Sequence, residues 1–527
     1  MNVGMKNGMY RSVLKQIGGL LVLLGLVMVL PIFVSAMYAE WYPALSFLLA
    51  AAITAGFGLA LFKGFYNSPE PENRHAILIA ASGWMMIALM GGLPFFVAAY
   101  LMPAEAMQKL IPAGADYPSS ILFFRSPLHC LFESMSAYTT TGLSMAVHEP
   151  SMGKGMLFYR SLAQWVGGAG FIVLALAVFK QVPGQGSILL YNSETSGVKL
   201  KPNVIGTARG IWKVYFGVTA FLTVYLSIGT YLILPDYPLG ENIFDAVNHA
   251  MCGQSTGGFS TLDDSIAGYK SPAMDVLYLL PMILGSFSLP FFFRVVFEKK
   301  FSEIWKDLQT RSLLIAFVLG SAGMAFLLSH AGIVPNPVRE GIFQFVSALS
   351  TTGWQTSGIG GWDDVSVVYI VTTAMYVGGA AGATVGGIKV IRAVLIQKGL
   401  MWQVNKIFYP DHAIKTVKFG GKTLLPDEMN RELAKAATFA FTFLLLVLVG
   451  TMITAFYMGE GYTLSDAFFE SASAQGTVGL SCGITDPSMS PVVEATYILQ
   501  MWAGRLEIIP VLALFRALIW GTKPINI

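Results

Sequence analysis

The pattern that most restricts the fold of this chain is a five-residue stretch that occurs four times. Thr140-Thr141-Gly142-Leu143-Ser144, Thr256-Gly257-Gly258-Phe259-Ser260, Thr351-Thr352-Gly353-Trp354-Gln355 and Thr477-Val478-Gly479-Leu480-Ser481 all read Thr-x-Gly-hydrophobic-polar. Each follows a short, half-apolar segment and lies between long apolar runs. Between membrane helices such a stretch suggests a row of backbone carbonyls facing a cation, because carbonyl rings can replace an ion's hydration shell. Successive carbonyls point the same way only if the backbone passes through conformations that a Cβ resists, which is where glycine is needed. Four copies are what it takes to close a ring around one axis.

The surroundings repeat as well. Ten positions before the glycine stand Phe132, Asn248, Phe343 and Phe469, and six before it Ser136, Cys252, Ser347 and Ser473. Phe132-Glu133-Ser134 and Phe469-Glu470-Ser471 are identical triplets at identical offsets. Repetition of one supersecondary unit marks a pseudo-symmetric architecture. The pre-filter segments, such as residues 464–474, are too short to cross about 30 Å of hydrocarbon as helices. They fit re-entrant helices, tolerated at membrane depth only when buried in protein or lining a cavity.

Of the 527 residues 54% are hydrophobic and 12% charged, against about 25% charged in soluble domains. The expected class is therefore an all-α polytopic membrane protein. Residues 1–72 hold two extra N-terminal transmembrane helices, near 17–38 and 44–62; the first is too long for a signal-peptide core. Four pseudo-symmetric helix–pore loop–helix repeats follow around a central ion pore: 73–200, 201–305, 306–400 and 433–527. The helix pairs are expected near 76–101 and 158–179, 211–234 and 273–296, 312–333 and 365–396, and 433–456 and 492–519. Residues 401–432 form a cytosolic loop whose Gly420-Gly421 and Pro426 suggest a compact hairpin. Cys130, Cys252 and Cys482 are too scattered for a disulfide framework or a metal site and are expected to pack as small apolar groups.

The net charge of +3 is small, so its distribution matters more. Nothing resembles a nucleic-acid-binding patch. Residues 180–213, 294–311 and 389–435 are basic, which places them and the N-terminus on the cytoplasmic side. Asp236, Glu241, Asp245, Asp263, Asp264, Asp363, Asp364, Glu460 and Asp466 lie on the other side. They form either an acidic mouth that concentrates cations or an ordinary solvated surface.

Gly378, Gly379, Gly382, Gly386 and Gly387 interrupt the second helix of the third repeat. A phosphate-binding P-loop is excluded, because Ile388 stands where lysine is required and no Ser or Thr follows Lys389. Small-xxx-small helix packing is one reading. A broken helix protruding under the filter as a movable flap is the other, since each glycine weakens a helix by roughly 1 kcal/mol relative to alanine. Arg505 lies midway along the last apolar run. A central arginine there costs about 2.5–3.5 kcal/mol on insertion scales, so it should face a cavity or a partner, or be fixed between helices by backbone carbonyls. Glu507 is not an obvious partner for it, and Lys389 and Arg392 read as interface anchors.

The four filters, the stretch 160–168 (Arg-Ser-Leu-Ala-Gln-Trp-Val-Gly-Gly), the stretch 378–392 and Gly504-Arg505-Leu506-Glu507 together resemble the Trk/Ktr/HKT superfamily of potassium transporters. The extra N-terminal helix pair makes the chain most similar to the TrkH-type transmembrane subunit. The resemblance implies K⁺ uptake across the plasma (inner) membrane through one pore per protomer, a homodimer in the lipid bilayer, and a TrkA-type cytosolic nucleotide-binding regulatory subunit. It implies K⁺ contacts at Thr140, Thr141, Gly142, Thr256, Gly257, Gly258, Thr351, Thr352, Gly353, Thr477, Val478 and Gly479. It also makes the glycine-rich loop an intramembrane gate, with Arg505 against it just below the filter. In the family a glycine in the first filter goes with K⁺ and a serine with Na⁺; Gly142 favours K⁺. The chain departs from a four-fold pattern at Thr141, Gly257, Thr352 and Val478, which implies discrimination less sharp than in a symmetric tetrameric channel. No cofactor beyond the transported ion is implied, and a nucleotide only through the partner.

An intramembrane enzyme finds no support: His148-Glu149 is followed by Pro150 rather than by a zinc-binding pattern, and no nucleophile–base pair stands out. An H⁺- or Na⁺-coupled symporter would need intramembrane carboxylates, for which only Glu133, Glu470 and Glu507 qualify, and Glu133 and Glu470 are expected instead to hold their pore loops by hydrogen bonds to backbone amides.

Overall fold

Apolar runs of Leu, Val, Ala and Phe with few helix breakers become long helices in the computed structural model, which describes residues 2–69, 71–178, 204–362, 364–408, 410 and 416–521. Among them, six helices are long and apolar enough to cross a membrane, or up to eight if each bent pair is one span. The chain is a multi-pass membrane protein. Large apolar side chains such as Phe216, Phe221 and Ile228 stay exposed on the outer faces, as expected where lipid replaces water.

Helices α1 (Asn2–Val27), α2 (Leu30–Met37) and α3 (Trp41–Gly64) form the N-terminal pair. The first span is longer than residues 17–38 and restarts at Leu30, with Pro31 in the first turn. Gly18 and Gly58 meet where α1 crosses α3, and a Cβ on either would press into the partner backbone. This is the close approach that small residues allow in lipid.

The first repeat comprises α4 (Asn73–Gly91) and α5 (Leu93–Leu101), joined through Pro94, then the short α6 (Pro127–Tyr138), α7 (Lys154–Ala169) and α8 (Phe171–Val178). The second has α9 (Val204–Ile233), the short α10 (Leu239–Gln254) and α11 (Pro272–Gly285). The third has α12 (Leu308–Ala331), the short α13 (Pro337–Leu349), α14 (Val365–Val377) and α15 (Val390–Lys406). The fourth has α16 (Pro426–Tyr457), the short α17 (Leu464–Gly476), α18 (Pro491–Arg505) and α19 (Ile509–Trp520).

One expectation needs correction. The second helices of repeats one, two and four were expected to be continuous, yet all are broken, as in repeat three. The breaks fall at Gly170 (φ 96°), at residues 286–288 with a 93° bend, and at residues 506–508 with a 116° bend. Gly170 and the Ser288-Leu289-Pro290 cap are local causes. Glu507 (φ 59°) and Ile508 (φ 65°) are not: two adjacent non-glycine residues in the left-handed region persist only where surrounding contacts over-determine them.

Between α15 and α16, β1 (Val417–Phe419) pairs antiparallel with β2 (Lys422–Leu424). Gly420 (φ 56°) and Gly421 (φ 80°) make the two-residue turn, where positive φ at both positions favours glycine. The expected hairpin is narrower than residues 401–432, because α15 runs to Lys406 and α16 starts at Pro426. Most of the basic stretch 180–213, and Asp363, lie outside the described residues.

Candidate functional site

Each short helix, α6, α10, α13 and α17, ends directly at one Thr-x-Gly segment, with its negative dipole end toward the segment. The entering threonine is left-handed in every copy: φ is 56° at Thr140, 52° at Thr256, 53° at Thr351 and 50° at Thr477. The glycine two residues on is again at positive φ, 94°, 78°, 87° and 95°. Between them the middle residue donates its N–H back to its own short helix: Thr141 to Ser136 O (2.9 Å), Gly257 to Cys252 O (2.8 Å), Thr352 to Ser347 O (3.0 Å) and Val478 to Ser473 O (2.9 Å). In a trans peptide the carbonyl points opposite the N–H. With the N–H groups turned into the helices, the threonine carbonyls face the other way.

The glycine positions close the figure. A Cβ on Gly142 would overlap the Gly257 carbonyl oxygen, on Gly258 that of Thr352, on Gly353 that of Val478, and on Gly479 that of Thr141. The order is cyclic, so the twelve residues expected to contact an ion stand in one closed ring. Each glycine is required both by its dihedral angle and by its neighbour's carbonyl.

Buried side chains hold the ring from behind. Glu133 accepts from Met145 N (2.8 Å), Ser144 Oγ (3.1 Å) and Arg160 Nε (2.7 Å). Glu470 accepts from Cys482 N (2.9 Å), Ser481 Oγ (2.7 Å) and Thr485 N (3.0 Å). Gln164 donates to Gly257 O (2.5 Å) and accepts from Phe259 N (3.1 Å). Gln164 sits inside a stretch read from the sequence, but nothing there marked it as a ring contact.

On one side the ring opens into a cavity of about 690 Å³ lined by the four glycines, Glu149 and Asp264 among others. Four of the acids expected at a mouth are engaged elsewhere. Asp245 accepts from Tyr237 and Thr261, Asp466 and Asp364 cap helices, and Glu241 pairs with Lys154. Burial pushes the Glu149 carboxyl up to about 8, with Arg160 pulling the other way.

On the opposite side, the loop between α14 and α15 closes off the ring. It is not helical between Gly378 and Lys389, and Gly378 (φ 64°), Gly382 (φ 82°) and Gly387 (φ 72°) adopt left-handed angles. Its tip reaches the entering threonine of every segment. Thr140 Oγ1 donates to Thr384 O (3.4 Å), Thr256 Oγ1 meets Thr384 Oγ1 (3.0 Å), and Gly386 N donates to Thr351 Oγ1 (3.3 Å). A Cβ on Gly386 would overlap Thr477 Oγ1. Ala380 and Gly382 are tied to the α11 break, through Ala380 N to Ser286 O (3.0 Å) and Leu289 N to Gly382 O (3.0 Å).

Arg505 ends α18 beside this loop. It donates to Thr384 O (2.6 Å), Gly167 O (2.5 Å) and Gly168 O (2.8 Å). It therefore sits at a helix break rather than midway along a helix, and three carbonyls satisfy it. Glu507 is not its partner. It takes Lys389 Nζ (2.7 Å) and Arg392 Nη2 (2.5 Å), so these two cations are bound to the α18–α19 bend rather than serving only as interface anchors. The sequence lacked the signal for that pairing, since 115 or more residues separate the partners.

Residues 105–521 match the family model described as TrkH, cation transport protein. Similar proteins include an uncharacterized cation transporter of Methanocaldococcus jannaschii, 29% identical over 515 residues, covering 97% of this chain and 96% of that protein. The Trk system potassium uptake protein TrkH of Halomonas elongata is 28% identical over 529 residues, covering 97% and 99%. The crystal structure of the potassium transporter TrkH from Vibrio parahaemolyticus superposes with a TM-score of 0.78 at 25% identity, covering 97% of this chain and 99% of that one.

Proposed function

The chain belongs to the TrkH family of cation transport proteins, and from that premise we propose that it takes up potassium through the ring of Thr-x-Gly segments. In this reading Thr140, Thr141, Gly142 and their counterparts present carbonyl oxygens to a dehydrated K⁺. The cavity on the glycine side faces outward, and the N-terminus lies in the cytoplasm. Loop 378–388 is the gate and Arg505 its lock. The supporting observation is the cyclic order of glycine and carbonyl contacts, with one loop touching all four entering threonines beneath it. An arginine held at the loop tip places positive charge beneath the conduit until the loop moves.

Channel-like rather than ion-coupled transport is favoured because Glu133, Glu470 and Glu507 are each occupied by hydrogen bonds or ion pairs. A coupling site needs a carboxylate free to exchange its ion. A TrkA-type regulatory ring would dock on the cytoplasmic surface, where Phe301, Trp305, Ile407 and Phe408 are exposed beside Lys300, Lys306 and Lys406. A homodimer fits the same reading. The test is flux through purified protein in liposomes with K⁺, Rb⁺, Na⁺ and Li⁺ at varied pH. Rates linear in the K⁺ gradient and insensitive to H⁺ or Na⁺ gradients are expected; strict dependence on either gradient would overturn the channel reading.

A further inference from the structure

The residue nine positions before the ring glycine does one job in all four repeats while its chemistry changes. It is Glu133, His249, Gln344 and Glu470. Each accepts from the backbone N–H three positions after the glycine: Met145 (2.8 Å), Thr261 (3.3 Å), Thr356 (3.0 Å, with the Gln344 amide oxygen turned toward the loop) and Cys482 (2.9 Å). Two braces are carboxylates and two are neutral. Of the neutral pair only His249 can change from acceptor to donor without changing its shape.

Its surroundings settle its state. A peptide N–H can only donate, so the Nε2 that faces Thr261 N carries a lone pair. The ring proton is then on Nδ1, directed at Tyr278 Oη (2.7 Å). Tyr278 donates its hydroxyl hydrogen bond to Tyr269 (3.1 Å), and Tyr269 donates to Asp245 (3.3 Å). His249 is fully buried and has Trp354 of the third segment edge-on at 5.8 Å.

We propose that His249 is a positioning residue for cation selectivity: as a neutral Nδ1–H imidazole it pins the second segment through the Thr261 amide, and the chain to Asp245 locks that tautomer. The proposal rests on the ring being the selectivity filter. It is tested in the full-length protein in liposomes by the ratio of K⁺ to Na⁺ flux. An asparagine at 249 reproduces the Nδ1 side of the imidazole and cannot reach Thr261, whereas a glutamine reproduces the Nε2 side. His249→Asn is expected to lower the ratio by roughly twofold to tenfold, the range that one lost hydrogen bond allows, and His249→Gln to restore it. A merely structural role would depress both ions together and leave the ratio unchanged in both variants, overturning the proposal. An equal fall in both variants would overturn it too. Gly353→Ala serves as the control: if it alters the ratio while neither His249 variant does, only the brace fails. If Gly353→Ala leaves the ratio unchanged, the filter reading itself fails.

Discussion

The ring and the loop beneath it share four threonines but are held in different ways. Each ring segment is bonded to its own short helix, through the N–H of its middle residue and through the brace nine positions before the glycine, and the second and third segments also bond to neighbouring repeats. In repeats one and four the glycine N–H adds a bond to Ser136 or Ser473 (3.0 Å each). Loop 378–388 makes few bonds to itself and many to remote elements: the α11 break, Gln309, Arg505, and through Lys389 the α18–α19 bend. A segment held by its own repeat keeps its shape when neighbouring helices shift. A segment held from a distance lets go when they do, which is the difference the proposed gate and filter require.

The comparison is most severely tested at the ring. Gly353→Ala puts a methyl at φ 87° against the Val478 carbonyl. K⁺ flux should fall on the order of a hundredfold, given the strain of such positions, with the protein still recovered from detergent as a folded species. Near-normal flux would mean that the ring adapts as readily as the loop. Arg505→Ala removes the bridge between the loop carbonyl of Thr384 and the α7 carbonyls of Gly167 and Gly168, and should raise basal K⁺ flux roughly tenfold, from the worth of charge-assisted hydrogen bonds. Unchanged flux would deny the lock. Glu507→Gln leaves the tip in place and loosens the base at Lys389 and Arg392. Basal flux should rise by about threefold, and by less than that again in the Arg505→Ala background, because the two residues act on one loop. Additive effects would show two independent elements.

The smallest effect belongs to the cavity on the glycine side of the ring. With its carboxyl raised to about 8 by burial, Glu149 keeps its proton at neutral pH and loses it as the pH climbs past that value. The added negative charge should raise K⁺ flux by about twofold between pH 7 and 9, measured in liposomes, and Glu149→Gln should flatten that rise. A rise of the same size in the variant would assign the effect to another group.

Much of the ring is legible in the amino-acid sequence. Periodicity located the four segments, and the glycines predicted the positive φ that all four adopt. Glu133 and Glu470 were readable as loop-holding carboxylates because their triplets are identical, whereas His249 and Gln344 hide the same task behind different side chains. Only the offset from the glycine exposes them. The breaks at residues 506–508 and the Glu507 pairings had no local signal, since neither Glu507 nor Ile508 is a residue that prefers a left-handed turn.

By itself the amino-acid sequence determined a membrane-embedded helical chain with four matching glycine turns, because hydropathy, helix length and backbone permissiveness are properties of short stretches. The tertiary structure alone decided that those turns meet in cyclic order, that one loop touches all four threonines, and that Arg505 holds the tip of that loop and Glu507 its base. Those facts depend on which distant carbonyl or ammonium group arrives beside a given residue, and chain folding sets that, not local composition.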